Sequence, residues 1–247
     1  MQSHNTPEIR QRDGDTLELH DGAWGDPLPE ALFDPAELER RGWLRGTSPG
    51  RRHAWFLEYA DQPMVLRHYW RGGLMAHLST DRYLWTGWER SRPVREWRLL
   101  MALREQHLAV PRPVAARVRR HGPWWRGDLL TVRLPDAVPL DDLIRQGRTD
   151  AALWRRIGAT IARFHAVGAW HADLNVRNIL VDRSGSVWLI DWDRGRLGIH
   201  RRRPRADNLE RLRRSLRKWP DLAPSVRTGW PRLIEGYGGW PIRRFIR

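Results

Sequence analysis

Cysteine is absent from the 247 residues, and lysine occurs once, at Lys218. The first absence excludes a disulfide framework and any thiolate metal site, and it fits a reducing compartment. Also missing is any uncharged apolar run approaching the ~20 residues that cross a bilayer, so no transmembrane span is expected. The opening stretch, MQSHNTPEIRQRDGD, has no apolar core of the secretory kind. Internal repeats and low-complexity linkers are absent too, which leaves one two-lobed domain or two small ones. The scarcity of lysine gives the charge a particular character. Lys+Arg numbers 44 against 29 for Asp+Glu, a net +15 carried almost entirely by arginine. Codon usage that favours arginine everywhere explains such a ratio; so does an anionic partner, whether nucleic acid, acidic lipid or a phosphorylated substrate. The 16 tryptophans serve core packing and membrane-interface contact equally well.

What is present falls into an order. Asp34-Pro35-Ala36-Glu37 reads as a helix start, with Asp34 as N-cap, proline at the first helical position and a carboxylate at the third. Residues 54–59 and 64–69 read as strands joined by a turn over 60–63. A helix is expected from Pro93 to about His107, then a second hairpin, 115–120 with 124–132, around His121-Gly122-Pro123. Asp150 caps a predicted helix to about Val167, with Leu153, Ile157, Ile161 and Phe164 spaced three or four apart. Two short apolar strands follow, 179–181 and 187–190, with the turn Asp182-Arg183-Ser184-Gly185. A last helix, about Asn208 to Lys218, places Leu209, Leu212 and Leu216 on one side.

Chemistry concentrates in His171-Ala-Asp-Leu-Asn-Val-Arg-Asn178 and Leu189-Ile-Asp-Trp-Asp193. This is the H-x-D-x-x-x-x-N pattern of kinase catalytic loops, with an aspartate motif on the far side of a hairpin. Asp or Asn alone at any one of these positions is an ordinary turn residue; the joint spacing, between an amphipathic helix and a hairpin, is what points to phosphoryl transfer. That reaction asks the protein to position reactants and neutralise charge. A carboxylate beside the acceptor hydroxyl orients it and takes its proton, and Asp173 is the candidate. Mg2+ takes hard oxygen ligands, which Asn178 and Asp191 supply. His171 is expected to brace the loop rather than move protons.

The expected fold is α+β and protein-kinase-like: an N-terminal extension (1–45) packed on a strand-rich N-lobe (46–134), then a mainly helical C-lobe (135–247) with the catalytic loop. Kinases pair a strand lysine with a helix glutamate so that a cation reaches the nucleotide phosphates. Lys218 comes too late in the chain for that role. Arg67, in Val65-Leu-Arg-His-Tyr69, stands in the right place, with Glu96 in the following helix as its partner. The loop from Gly46 through Gly50 to Arg52 is a candidate cover for the phosphates, on only two glycines. For each, the plain alternative is a solvated surface residue.

From about Gly46 to Trp219 the chain resembles the 3-deoxy-D-manno-octulosonic acid (Kdo) kinases, relatives of the lipopolysaccharide core heptose kinases. The resemblance rests on VLRHYWRGGL, SRPVREWRLL, VPRPVAAR, HADLNVRNILV, LIDWDRG and NLERLRRSLRK. Its most specific pieces are RHY-x-RGGL and HADLN-x-x-NIL. The family carries arginine in the RHY segment, so the missing strand lysine is a family trait. Trp192 stands where the family usually has phenylalanine, Arg177 replaces a small residue or histidine, and no tryptophan precedes NLERL. The resemblance implies transfer of the ATP γ-phosphate, with Mg2+, to a Kdo hydroxyl at position 4 on a Kdo-lipid A precursor. It implies a peripheral enzyme at the cytoplasmic face of the inner membrane, in contact with its anionic surface and with no nucleic acid partner. The loop motif by itself also permits a heptose or aminoglycoside kinase, against which RHY-x-RGGL argues. A pseudokinase or a basic RNA-binding protein is a reading of another class, opposed by the intact Asp173, Asn178 and Asp191 and by the lack of an RNA-binding motif.

Overall fold

A computed structural model describes residues 8–24, 27–48, 54–69 and 83–238. The chain divides into two compact units, Met1–Glu105 with Pro111–Arg133, and Gln106–Val110 with Leu134–Arg247. Strands dominate the first and helices the second, the α+β order expected from the sequence.

The first unit is built on an antiparallel sheet. Its strands are β1 (Glu8–Asp13), β2 (Thr16–Asp21), β3 (Leu44–Thr47), β4 (Ala54–Tyr59), β5 (Gln62–His68), β6 (Tyr83–Leu84), β7 (Pro113–His121) and β8 (Trp124–Val132). Their spatial order is β1-β2-β7-β8-β5-β4-β3, with β6 paired to β8. The β4–β5 turn is tighter than expected: Ala60 and Asp61, at φ 49° and 57°, make it alone, and Gln62 and Pro63 already pair with Tyr59 and Glu58. Two residues at positive φ match the twist of the flanking strands. The β1–β2 hairpin was not foreseen, because β1 (EIRQRD) is a polar edge strand whose pairing to β2 has no apolar alternation to announce it.

Alternation does decide β5. Met64 and Leu66 of β5 enter a core with Leu57, Val114, Ala115 and Leu130, closed by Leu32, Phe33 and Leu38. Leu38 lies on α1 (Pro35–Arg40), whose cap is the one expected: Asp34 Oδ1 accepts from the Ala36 amide at 2.9 Å. The intervening position Arg67 must face the other side of the sheet. There it meets α2 (Arg92–Glu105), which buries Trp97, Leu100 and Leu103.

The second unit has, among the described residues, a small sheet ordered β11-β10-β9, from β9 (Val138–Pro139), β10 (Ile179–Val181) and β11 (Val187–Leu189), and four helices. These are α3 (Leu140–Arg145), α4 (Ala151–Ala166), α5 (Arg202–Arg217) and α6 (Ala223–Gly236). Asp150 caps α4 through the Leu153 amide at 2.7 Å, and the predicted stripe of Leu153, Ile157, Ile161 and Phe164 is buried. The α5 helix starts six residues before Asn208, since Pro204 falls in a first turn whose amides have no helical partner anyway. Helix α6 was not foreseen; it carries Pro224 in its first turn and Pro231 inside it. It packs on α4 at backbone distance: a Cβ on Gly158 would lie 1.9 Å from the Leu233 carbonyl oxygen, and one on Gly236 2.0 Å from that of Arg155.

Candidate active site

In the first unit, β5 and α2 bring Arg67 and Glu96 together, as the sequence suggested. Arg67 Nη2 donates to Glu96 Oε2, and the Tyr69 hydroxyl donates to the same oxygen at 2.6 Å. Arg67 also donates to the Tyr69 hydroxyl at 3.1 Å, with its guanidinium 5.0 Å from the tyrosine ring. Glu96 is almost fully buried, whereas the Arg67 side chain keeps 21% of its surface exposed. A buried carboxylate needs a paired cation, and here the cation that it holds is itself still reached by solvent. Tyr69 was not singled out from sequence, although its spacing of two from Arg67 puts both on one face of the strand. Gly46 lies at a β-bulge in β3 with φ 150°, a conformation suited to glycine. Gly50, the rest of the loop to Arg52, and Trp70 to Leu74 of the RHY-x-RGGL segment lie outside the described residues.

In the second unit, the 171–178 loop joins α4 to β10. The Asn178 amide nitrogen donates to the Asp173 carbonyl at 2.9 Å, a bond that does not engage its amide oxygen. The β10–β11 ladder pairs Ile179 with Leu189, and the Ile190 amide donates to the Asn178 carbonyl at 3.0 Å. The hairpin thus brings Asn178 and Asp191 to the same end. Asp191 has φ 61°, a left-handed conformation that aspartate tolerates and that re-aims its side chain just beyond the strand. Asp173 points elsewhere. Its carboxylate is 57% exposed and takes hydrogen bonds from Asn175 Nδ2 at 3.2 Å and Arg211 Nη1 at 3.3 Å.

His171 braces the loop, as expected. Nε2–H donates to the Ile190 carbonyl at 2.9 Å, and Nδ1 accepts from the Asp173 amide at 3.1 Å. That pattern requires the neutral ring, and burial pushes its pKa down accordingly. Trp192 packs against it, ring centroids 4.6 Å apart, and stacks on Phe164 at 5.1 Å. The Trp192 indole N–H donates to the Leu189 carbonyl at 3.0 Å, a bond that phenylalanine could not make. Arg177, the other departure, pairs with the buried Asp141 at 3.2 Å and lies 4.9 Å from the Trp219 ring.

Sequence reading missed how α5 holds this loop. Asn208, Arg211 and Ser215 recur at helical spacing beside the leucine stripe, and each touches the loop. Asn208 Oδ1 accepts from the His171 amide at 3.1 Å, and its Nδ2 donates to the His171 carbonyl at 2.8 Å. Arg211 reaches Asp173, and Ser215 Oγ accepts from the Val176 amide at 2.8 Å. Behind them, His165 donates from Nε2 to Asn208 Oδ1 at 3.2 Å and accepts at Nδ1 from the Tyr237 hydroxyl at 2.8 Å. Burial pushes the His165 imidazole down to about 4. The polar 208/211/215 stripe was the available signal.

Residues 38–237 match the model of the lipopolysaccharide kinase (Kdo/WaaP) family. A 3-deoxy-D-manno-octulosonic acid kinase of Photobacterium profundum is 40% identical over 222 residues, covering 87% of this chain and 93% of the relative. One of Stenotrophomonas maltophilia is 48% identical over 188 residues, covering 76% of this chain and 74% of the relative. The chain belongs to the lipopolysaccharide kinase (Kdo/WaaP) family. Membership in a kinase family carries use of ATP. The donors at the hairpin end, one carboxylate and one amide oxygen, suit a hard divalent cation that takes its other ligands from phosphate and water.

Proposed function

We propose that this chain transfers the γ-phosphate of ATP to the 4-hydroxyl of a Kdo sugar on a Kdo-lipid A precursor, in lipopolysaccharide core synthesis. The observation that carries the reading is the braced loop, in which Asp173 presents an exposed carboxylate while Asn178 and Asp191 share the end of the adjoining hairpin. The names of the relatives support Kdo as the sugar. Asp173 orients the acceptor hydroxyl and takes its proton as the hydroxyl oxygen bonds the γ-phosphorus. The bridging bond to the β-phosphate breaks, and ADP departs with the electron pair. Asn178 and Asp191 would hold Mg2+, which would supply charge neutralisation at the phosphate oxygens. Arg67, fixed by Glu96 and Tyr69, contacts the nucleotide phosphates with the exposed part of its guanidinium.

The test compares acceptor-dependent ATP turnover on Kdo-lipid A precursor, on a heptosylated core and on aminoglycosides. Turnover confined to the Kdo acceptor is expected, and preference for either of the others overturns the reading. The site of work follows from the acceptor, a lipid that stays in the bilayer. No helix among the described residues is long and apolar enough to cross a membrane. We therefore place the enzyme peripherally at the cytoplasmic face of the inner membrane, drawn by its +15 charge. Exposed Arg201, Arg202 and Arg203 are among the contributors. Salt-sensitive co-sedimentation with anionic vesicles lacking any acceptor is the expected result; protein left in the supernatant at low salt removes the electrostatic part.

A further inference from the structure

Asp173 makes its contacts in two directions. Its backbone carbonyl is bound by Asn178, on the side of the proposed metal ligands, while its carboxylate reaches toward α5. The acceptor hydroxyl belongs on the carboxylate side. Any anionic group carried by the acceptor close to that hydroxyl is repelled by Asp173 unless a cation stands beside it. Among the described residues one cation touches this carboxylate, and it is Arg211. The loop's own arginine, Arg177, is turned to Asp141 and to the face of Trp219. Arg211 spends a single Nη1 on Asp173, at 3.3 Å, and its remaining N–H groups meet no protein acceptor among the described residues. Its side chain is 44% exposed. Asn208 and Ser215, one turn away on either side, hold the same face of α5 against the loop, so the guanidinium is set beside Asp173 by a fixed helix. A planar fork with open N–H donors is matched to a carboxylate.

We infer that Arg211 is a specificity-determining residue that binds the carboxylate of the acceptor sugar. The inference rests on the Kdo kinase reading above, since an octulosonic acid brings such a carboxylate and a heptose or an aminoglycoside does not. In this account Asp173 selects the hydroxyl and Arg211 selects for an acid sugar.

The experiment uses the full-length protein with two acceptors, a Kdo glycoside and its C1 carboxamide, and three forms: native, Arg211→Gln and Arg211→Lys. A charge-assisted hydrogen bond is worth about 10- to 100-fold in affinity. The native enzyme should show an acceptor KM raised by about that factor for the carboxamide. Arg211→Gln should raise KM for the Kdo glycoside to a similar degree while scarcely distinguishing the two acceptors, and its KM for ATP should stay near native. Arg211→Lys should recover part of the preference. Because Arg211 is solvent-exposed, these variants should fold, and the carboxamide arm tests the same contact with no mutation at all. A native enzyme indifferent to the carboxamide overturns the inference and leaves the Kdo kinase reading intact. An equal loss on both acceptors in Arg211→Gln, or a raised KM for ATP, assigns Arg211 to the base or to the transferred phosphate instead. A native enzyme that turns over neither acceptor removes the Kdo reading and this role with it.

Discussion

The two units hold their candidate functional groups by opposite physical means. In the first, a strand and a helix join through a half-buried ion pair, Arg67 with Glu96, and Tyr69 shares the same carboxylate oxygen. In the second, the backbone of the 171–178 loop is held mainly by neutral groups: the His171 and His165 imidazoles, the Asn208 amide, the Ser215 hydroxyl and the Trp192 indole, with the ion pairs Arg211–Asp173 and Arg177–Asp141 at its more exposed side chains. Each choice suits its task. The phosphate contact proposed for Arg67 uses a permanent cation, and a nearly buried glutamate fixes it in place. A loop proposed to present a base and two metal ligands gains from a backbone scaffold that is mainly neutral. The contrast predicts that the second unit is sensitive to acid and to lost hydrogen bonds, and the first to lost charge.

Apart from the base, the largest effect should come from Asp191→Ala, which removes a carboxylate where the cation is proposed to sit. Turnover should fall by about 10²- to 10³-fold, the scale for losing one preorganised electrostatic contact, and the Mg2+ requirement should rise. A magnesium titration of nucleotide affinity checks this, and an unchanged metal dependence moves the site elsewhere. Next comes Asn208→Ala, which leaves the buried amide and carbonyl of His171 without partners. Each such group costs about 1–3 kcal/mol, so a clear drop in denaturation midpoint should accompany the loss of activity. Stability near native would show that the loop is held by other means.

In the charged brace, Arg67→Ala should raise the KM for ATP by about tenfold or more and lower turnover. Arg67→Lys should recover only part, because the planar fork is lost. Steady-state kinetics in ATP distinguish these outcomes, and full activity in Arg67→Ala removes the assignment. Acid should act mainly on the neutral brace. The buried His165 titrates near 4 when folded, below the usual value of 6.5 for an exposed ring. Between those values the unfolded chain binds a proton that the folded one refuses, so stability falls as pH drops from about 6.5 to 4. The slope is about 1.4 kcal/mol per pH unit for one such ring, and the lowered pKa of His171 acts in the same direction. Thermal unfolding followed across that range should show the decline, and His165→Gln should flatten it.

The same contrast shows what was legible in the sequence. Apolar spacing announced β5, α2 and α4, because burial on one face writes itself into the spacing, while β4, β7 and β8 were read as strand segments on either side of turn residues. The pairing of Arg67 with Glu96 was visible from the order strand, then helix, and from a lysine too late to serve. The β1–β2 hairpin left no such mark, since a polar edge strand is defined by its neighbour. Helix α6 was hidden by two prolines that the fold tolerates and by glycines whose purpose, close approach to α4, appears only in three dimensions. Asn208, Arg211 and Ser215 were passed over for a related reason. A polar residue facing a loop looks, in sequence, like one facing water. Trp192 was noticed as a departure, yet its indole bond to the Leu189 carbonyl and its packing on His171 needed coordinates.

Asp173→Asn is the most direct test of the central claim, that this loop orients an acceptor hydroxyl for phosphoryl transfer. The substitution preserves shape and removes the carboxylate's charge and basicity. Nucleotide affinity and phosphate transfer to a Kdo acceptor should be measured on the same sample. The account predicts binding of Mg–ATP close to native and transfer reduced by about 10²- to 10⁴-fold, the range for losing a positioned base. Transfer at near the native rate would contradict it and take the chemistry away from Asp173.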